Sequence, residues 1–167
     1  MHLLEKSPKK QDWLHVKRMN ENNWSILDPQ SLILIKIGMT SKSVAKRLNE
    51  WENKCNHRLI SINPYCLKKN SILSLFKKLS ISHGGNDYTL KTYDMEGQGF
   101  FTESNLSKIE KEVHSTLWKL YGKGDIVCHG CKIGEKIGIH KEWFLVKRTN
   151  LDNIFKLIDK IVIENSV

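Results

Sequence analysis

A dense apolar run at residues 31–38, SLILIKIG, decides much of how this chain can fold. A short continuous apolar run that ends at glycine is typical of a buried strand. The next residues, MTSKSV, supply hydroxyl side chains that can cap a helix. Apolar side chains then recur at helical spacing, at Val44, Leu48, Trp51 and Cys55. A buried strand leading directly into an amphipathic helix predicts a protein that mixes strands and helices.

The same patterns predict the remaining elements. Residues 13–19 alternate as a strand does, and we expect them to pair antiparallel with residues 31–38. Two further strands are predicted at 58–63, where Pro64 ends the run, and at 142–147. Helical periodicity predicts helices at 72–79, 106–120 and 151–161, the second ending at Gly122.

These elements are expected to form one domain, because a chain of 167 residues has the usual length of a single domain. Residues 1–10 are polar, and we expect a flexible N-terminus. The domain proper spans 11–148, with an irregular insertion around 64–100 whose stretch 83–99 is an excursion or a hairpin. Residues 149–163 form a C-terminal amphipathic helix packed on the same domain. The predicted fold is α+β, a small mixed, mainly antiparallel sheet of three or four strands flanked by helices.

The charge of the chain favours a polyanionic partner. Its 27 Lys and Arg outnumber 18 Asp and Glu, giving a net charge of +9, and no acidic residue occurs between positions 53 and 86. Nucleic acid, and DNA first, is the expected partner, although ribosomal accessory proteins and simple solubility also fit a basic chain. The candidate nucleic-acid-binding residues are Lys42, Lys46, Lys54, Arg58, Lys77 and Lys78.

The sequence shows neither a membrane span nor a secretory signal. No run approaches the roughly 18 apolar residues that a span requires, and the first ten residues lack an apolar core. We therefore expect no membrane partner and an intracellular, nuclear location. In a reducing compartment the four cysteines are expected to be thiols or metal ligands.

Several short motifs occur in an order that resembles the GIY-YIG superfamily. They are a strand ending in KIGMT at 36–40, a helix carrying Arg47, a helix with Glu110 and His114, and EWF at 142–144. The resemblance is to the branch of DNA-binding domains first named from an open reading frame of phage T-five and shared with fungal meiotically up-regulated proteins. It covers roughly residues 11–148, with 64–100 unmatched in detail.

The resemblance implies a nuclease fold in which an arginine and a glutamate surround one divalent ion. Glu110 corresponds to the carboxylate that holds magnesium or manganese, and Arg47 to the phosphate clamp. Lys36 takes the place of the second tyrosine, and Gly38 is a position of close approach. His114 and Glu142 complete the expected catalytic set, Glu142 as a strand-edge carboxylate that orients His114 or Arg47.

His15 is the main departure from the superfamily pattern. Alignment of WLHVK at 13–17 with the strand that carries the GIY motif of the superfamily puts His15 where a catalytic tyrosine is usual. An imidazole with an ordinary pKa of about 6.5 suits a general base at neutral pH better than a phenol of about 10. The same substitution also fits a domain that kept the surface and lost the chemistry.

A second cluster has the spacing of metal ligands. Cys128 and Cys131 are separated by two residues, and His140 follows, which predicts a structural zinc site. Gly130 would let the chain turn so that both thiolates meet one ion. Cys55 is the first choice for the fourth ligand, with His129 and Cys66 as alternatives. Two free or redox-active thiols are the competing interpretation.

Three functions therefore remain open from the sequence. The first is a divalent-metal-dependent endonuclease that hydrolyses phosphodiester bonds. The second is a non-catalytic module that binds DNA or RNA through the same basic surface. The third is an adaptor whose basic or insertion surface meets an acidic protein partner.

Overall fold

A computed structural model describes residues 2–4, 14–18, 22–23, 25–26, 32–55, 59–64, 89–133, 136–140 and 142–166. Within these residues the chain is α+β, built from short antiparallel strand pairs and three α-helices, as the sequence predicts. The predicted helix at 72–79 lies outside the described residues. None of the helices described here is both long and apolar enough to cross a bilayer.

The elements are numbered in chain order. The strands are β1 (His2–Leu4), β2 (Leu14–Arg18), β3 (Ser25–Ile26), β4 (Leu32–Lys36), β5 (Leu59–Ser61), β6 (Tyr93–Asp94), β7 (Gly99–Phe100), β8 (Gly124–Ile133), β9 (Lys136–His140) and β10 (Trp143–Lys147). The helices are α1 (Val44–Cys55), α2 (Leu106–Tyr121) and α3 (Leu151–Asn165), with a 3-10 turn at Arg148–Asn150 before α3.

Where the sequence predicts one sheet, the described strands form two sheets and a hairpin. The first sheet has the order β10-β4-β1-β5, the second β3-β2-β8-β9, and β6 pairs with β7. β4 lies inside the first sheet, with Lys36 opposite Trp143 of β10 on one edge and opposite His2 of β1 on the other. β1 falls within the segment expected to be flexible.

The predicted pairing of residues 13–19 with residues 31–38 is wrong. β2 pairs with β3 and β8 in the second sheet, where His15 lies opposite Ile26 and Val127. A strand has two hydrogen-bonding edges, and both edges of β4 are taken by β1 and β10. The strand that carries His15 therefore does not pair with the strand that carries Lys36.

The buried run β4 divides the core into two clusters. Ile33, Ile35 and Ile37 pack in the larger cluster with residues of α2 and α3. Leu34 packs in the smaller one with Ile126 of β8 and with side chains of α1. Because successive strand residues point to opposite faces, α1 and α2 lie on opposite faces of the first sheet.

Several sequence predictions of single elements are confirmed. The strands predicted at 58–63 and 142–147 are β5 and β10, and the strongest helical pattern is α2. Gly122 follows α2 with φ 81°, a value that favours glycine, and its N–H donates to the Trp118 carbonyl at 3.0 Å. The β6–β7 hairpin, Tyr93–Phe100, lies at the end of the stretch 83–99 that the sequence predicts to be an excursion or a hairpin.

Asp159 on α3 anchors the chain just before that hairpin. Its side chain is fully buried and accepts hydrogen bonds from the Lys91 N–H at 3.0 Å, the Thr92 N–H at 2.8 Å and the Thr92 hydroxyl at 2.7 Å. A buried carboxylate needs such donors to be tolerated in a core. The entry to the hairpin is thereby fixed to α3.

Candidate functional site

A cleft of about 260 Å³ opens at the carboxyl end of β4. We call it the β4 cleft. Residues of α1, α2, α3 and the β6–β7 hairpin line it together with the turn after β4. Its polar lining residues are Thr40, Lys42, Ser43, Arg47, Asp94, Gln98, Thr102 and Glu110. The cleft thus brings together three of the predicted functional side chains, Lys42, Arg47 and Glu110.

Glu110 is held against the turn that follows the KIG motif. Its Oε1 accepts a hydrogen bond from the Met39 N–H at 2.9 Å, across a sequence separation of 71 residues. A Cβ added to Gly38 would lie 3.8 Å from the same oxygen, an ordinary contact. The Glu110 carboxylate therefore leaves room for a Cβ at position 38. The hydrogen bond from the Met39 N–H fixes this carboxylate at the cleft.

His114 lies one helical turn after Glu110 and holds the same backbone. Its Nε2 is 2.8 Å from the Ile37 carbonyl oxygen, which can only accept, so Nε2 carries the proton. The ring is buried, 5.8 Å from Trp118 and 5.6 Å from Phe144 between centroids. In this geometry His114 positions α2 on the turn, because its Nε2 is already engaged as a donor.

Arg47 and Lys42 share one carboxylate beside the cleft. The Lys42 ammonium donates to Glu50 Oε1 at 3.0 Å, and Arg47 Nη1 donates to Glu50 Oε2 at 3.1 Å. These hydrogen bonds, from Lys42 first and Arg47 second, hold the pKa of Glu50 below its ordinary value. Arg47 Nε is buried without a hydrogen-bond partner among the described residues, so the guanidinium is incompletely satisfied.

Lys36 is on the other face of β4 and is not among the described residues that line the cleft. Only 2% of it is exposed, its Nζ is 2.5 Å from Glu142 Oε2, and it lies 3.7 Å from the centroid of the Trp51 ring. The hydrogen bond from Lys36 lowers the pKa of Glu142, although partial burial opposes the shift. Glu142 thus bonds Lys36, whereas the sequence suggests a role in orienting His114 or Arg47.

The other basic candidates are only partly within the described residues. Lys46 and Lys54 are exposed on α1, and Lys54 Nζ is 5.3 Å from the Trp51 ring centroid. Arg58, Lys77 and Lys78 lie outside the described residues. The basic surface that can be located therefore follows α1, beside the β4 cleft.

The backbone gives the candidate zinc ligands a shared neighbourhood. Cys55 ends α1, which packs against β8, the strand that carries Cys128 and Cys131. β9 ends at His140 and pairs with β8, with Cys128 opposite Gly138. The side chains of Cys55, Cys128 and Cys131 are outside those that the structure describes. Among the described side chains, no group of three His, Cys, Asp or Glu could hold a metal.

The two β8 cysteines are in a strand and not in the tight turn that Gly130 suggested. The register of β8 against β9 shifts between Cys128 and Lys132, as at a bulge. The alternative ligand His129 is in the same strand, and Cys66 lies outside the described residues.

Two contributors to the site are absent from the sequence predictions. Glu50 lies three residues after Arg47, a spacing at which opposite charges meet on a helix. Charge spacing along α1 could therefore have predicted this ion pair. Trp51 was assigned only to the apolar stripe of α1, yet three cations surround its ring. Apolar periodicity does not report which charges an indole will attract.

The fold and the cleft define an α+β protein in which two cations, Lys42 and Arg47, and two carboxylates, Asp94 and Glu110, line a cleft at the end of a buried strand. The chain belongs to the family described as Meiotically up-regulated gene 113, whose model matches residues 32–164. The matched range begins at β4 and includes the whole lining of the β4 cleft, whereas His15 precedes it.

A similar protein is known from yeast. The chain is 35% identical to the uncharacterized protein YPL034W of Saccharomyces cerevisiae over 158 residues, covering 72% of this chain and 93% of the relative. No solved structure matches the chain.

Substitution Glu142→Gln is expected to destabilise the protein by about 1–2 kcal/mol at neutral pH, because it removes the anion that the buried Lys36 ammonium binds; exposure of Glu142 limits the effect. Lys36 lowers the folded-state pKa of Glu142. The stabilisation of the folded state by the Glu142 charge is therefore complete above the ordinary pKa of about 4.3 and disappears as pH falls through the lower pKa of the folded state. Urea unfolding of the wild-type and variant proteins at pH 7 and near pH 3 measures the loss of stability and its dependence on pH.

Lys36→Met supplies the control, since it removes the ammonium and leaves an apolar chain against Trp51. In that background Glu142→Gln should cost nearly nothing. A loss that is equal at both pH values, or that persists without Lys36, would show that Glu142 stabilises the fold by another route.

Proposed function

We propose that this chain is a nucleic-acid-binding protein of the GIY-YIG nuclease fold that holds a backbone phosphate of DNA in the β4 cleft. One observation carries the proposal: Arg47 of α1 and Lys42 of the turn before α1 line the same cleft as Glu110 of α2. The net charge of +9 and the exposed Lys46 and Lys54 on α1 support a polyanionic ligand. A nuclear location belongs to the same proposal.

The proposed binding step is an exchange of anions. Arg47 and Lys42 now bind Glu50, and a phosphate that enters the cleft would take over their donors. A buried donor without a partner costs about 1–3 kcal/mol, so a phosphate oxygen that reached Arg47 Nε would recover part of that energy. Bidentate binding of phosphate by a guanidinium makes Arg47 the principal clamp.

Binding is the first candidate function and hydrolysis the second, because Lys36 does not line the β4 cleft. In the superfamily comparison Lys36 corresponds to a tyrosine of the active site. Here its ammonium is bound to Glu142 and Trp51 on the face of β4 away from Ile35 and Ile37. A general base at this position would not reach the β4 cleft.

Metal-dependent hydrolysis is the second candidate, and the fixed carboxylate of Glu110 favours it. Magnesium typically binds one or two carboxylates together with waters and phosphate oxygens, so one oriented glutamate is a sufficient protein ligand. A bound divalent ion would stabilise the charge of the transition state and lower the pKa of a water. Glu110 would hold the ion, and Arg47 would bind the phosphate oxygens.

A structural zinc ion is also part of the proposal. Its ligands would be Cys55, Cys128, Cys131 and His140, and four protein ligands leave no open position for catalysis. The packing of α1 on β8 and the pairing of β8 with β9 support this set. Such an ion would tie the helix that carries Arg47 to the second sheet.

Arg47→Ala is expected to weaken DNA binding by roughly tenfold or more, because it removes a charge-assisted phosphate contact. Glu50→Gln is expected to strengthen binding several-fold, because it releases the donors of Lys42 and Arg47. Fluorescence anisotropy with a labelled oligonucleotide, at two salt concentrations, measures both changes.

Matched controls separate the site from the overall charge. Lys160→Ala removes a positive charge and Asp152→Asn a negative one, both from exposed ion pairs on α3. Each should change the affinity much less than its counterpart near the cleft. If the control variants change binding as much as Arg47→Ala and Glu50→Gln do, nucleic acid does not bind through this cleft. Selective capture of acidic proteins, without DNA binding at physiological salt, would favour the adaptor.

Glu110→Gln is expected to abolish any cleavage supported by magnesium or manganese while preserving DNA binding in a chelator. Glutamine keeps an oxygen for the Met39 N–H but removes the charge that holds the cation. Gel assays with duplex, branched and single-stranded DNA measure cleavage, with Glu164→Gln, exposed on α3 and not among the residues that line the β4 cleft, as the control. Absence of cleavage by the wild-type protein on all three substrates rejects hydrolysis and leaves the binding proposal standing.

The purified protein is expected to contain about one zinc ion per chain, because a closed structural site retains its metal. Elemental analysis of protein never exposed to chelators measures this, and Cys128→Ser should reduce the content. Chelation should also lower the melting temperature. A content below about 0.2 zinc per chain would reject the four-ligand site.

A further inference from the structure

We infer that the β4 cleft accepts an unpaired nucleotide and that Phe101 stacks on its base. The inference rests on the proposed function and specifies its ligand. Phe101 is the most exposed large apolar residue among those described, with 63% of its surface accessible. It lines the β4 cleft, where Arg47 and Lys42 would bind the phosphate.

Phe101 also borders a second cavity. This cavity has a volume of about 560 Å³ and is lined by Lys91, Thr92, Tyr93, Asp94, Phe101, Thr102, Glu103 and Ser166. The ring thus lies where the β4 cleft meets a more polar depression that includes a lysine. A base on the ring would be adjacent both to the phosphate site and to groups able to form hydrogen bonds.

The backbone that presents this ring is anchored. The Phe101 N–H donates to the Thr92 carbonyl at 2.8 Å, and Thr92 is bound to the buried Asp159 of α3. Asp94 closes the hairpin turn by accepting from the N–H groups of Glu96 and Gly97, each at 3.0 Å. An aromatic side chain on a fixed backbone loses less freedom on binding, which favours its use as a contact.

The chemistry of the cleft favours a nucleobase as the occupant. Besides the charged residues Lys42, Arg47, Asp94 and Glu110, the cleft is lined by apolar and aromatic side chains, among them Val44, Phe100 and Ile109. An intact duplex presents phosphates and groove edges, and its base faces are stacked inside. A splayed or single-stranded nucleotide presents a base face, which stacks on aromatic side chains beside a basic groove.

The test compares one mixed-sequence DNA strand of about 15 nucleotides, a length within the range of single-strand sites, with the blunt duplex formed with its complement. The full chain is titrated against each labelled probe by anisotropy. Phe101→Ala should weaken binding of the single strand by roughly tenfold or more, because base stacking on one aromatic ring is lost. Duplex affinity should change less than about twofold, and Phe101→Trp should retain single-strand affinity.

Leu120→Ala is the matched control, because Leu120 is 61% exposed on α2 and is not among the residues that line either cavity. It should leave both affinities unchanged. Circular dichroism melting checks the fold of each variant, and Phe101→Leu, which keeps apolar volume but has no ring to stack, replaces the alanine variant if that variant unfolds.

Three outcomes would overturn the inference. An equal loss on single strand and duplex, or no loss on either, would reject stacking while the phosphate site stands if Arg47→Ala still weakens binding. A wild-type protein that binds neither probe would reject the proposed function and the inference together.

Discussion

Two side chains of α2, one helical turn apart, hold the backbone that emerges from β4. His114 donates to the Ile37 carbonyl, and Glu110 accepts from the Met39 N–H. A buried strand that leaves its sheet presents polar backbone groups that need partners. Because α2 supplies both partners, the position of the turn, the orientation of the Glu110 carboxylate and the opening of the β4 cleft depend on the same pair of contacts.

The alternation of β4 then separates two chemistries that are adjacent in sequence. Ile35 and Ile37 point to the α2 face, and Lys36 between them points to the α1 face. There its ammonium forms an ion pair with Glu142 and lies over the Trp51 ring. A lysine that is 98% buried keeps its charge at low cost only with such partners. The KIG motif therefore contributes a structural ion pair on one face and a backbone turn on the other, and the proposed phosphate site depends on Arg47 and Glu110.

Local patterns in the sequence predicted what local physics determines. The periodicity of α2, its end at Gly122 and the strand β10 required no knowledge of distant residues. The pairing of β4 with β1 and β10 could not be read this way, because strand partners are chosen by long-range packing and β1 has only three residues. Arg47 and Glu110 were selected through motif order. The anchoring of Thr92 by Asp159 joins residues 67 positions apart, so no local pattern indicates it.

Glu50 also decides how the proposed site should respond to salt. The dependence of DNA affinity on salt follows the number of phosphates that the protein neutralises, and not the number of its cations. Lys42 and Arg47 already share the charge of Glu50, so their transfer to a phosphate exchanges one anion for another and leaves Glu50 to be hydrated. Lys46 and Lys54, which are exposed, have no such competitor among the described ion pairs. In the proposed complex, Lys42, Arg47 and Glu50 together carry a net charge of +1 and would neutralise about one phosphate, and each exposed lysine of α1 that meets a further phosphate would add to the salt dependence.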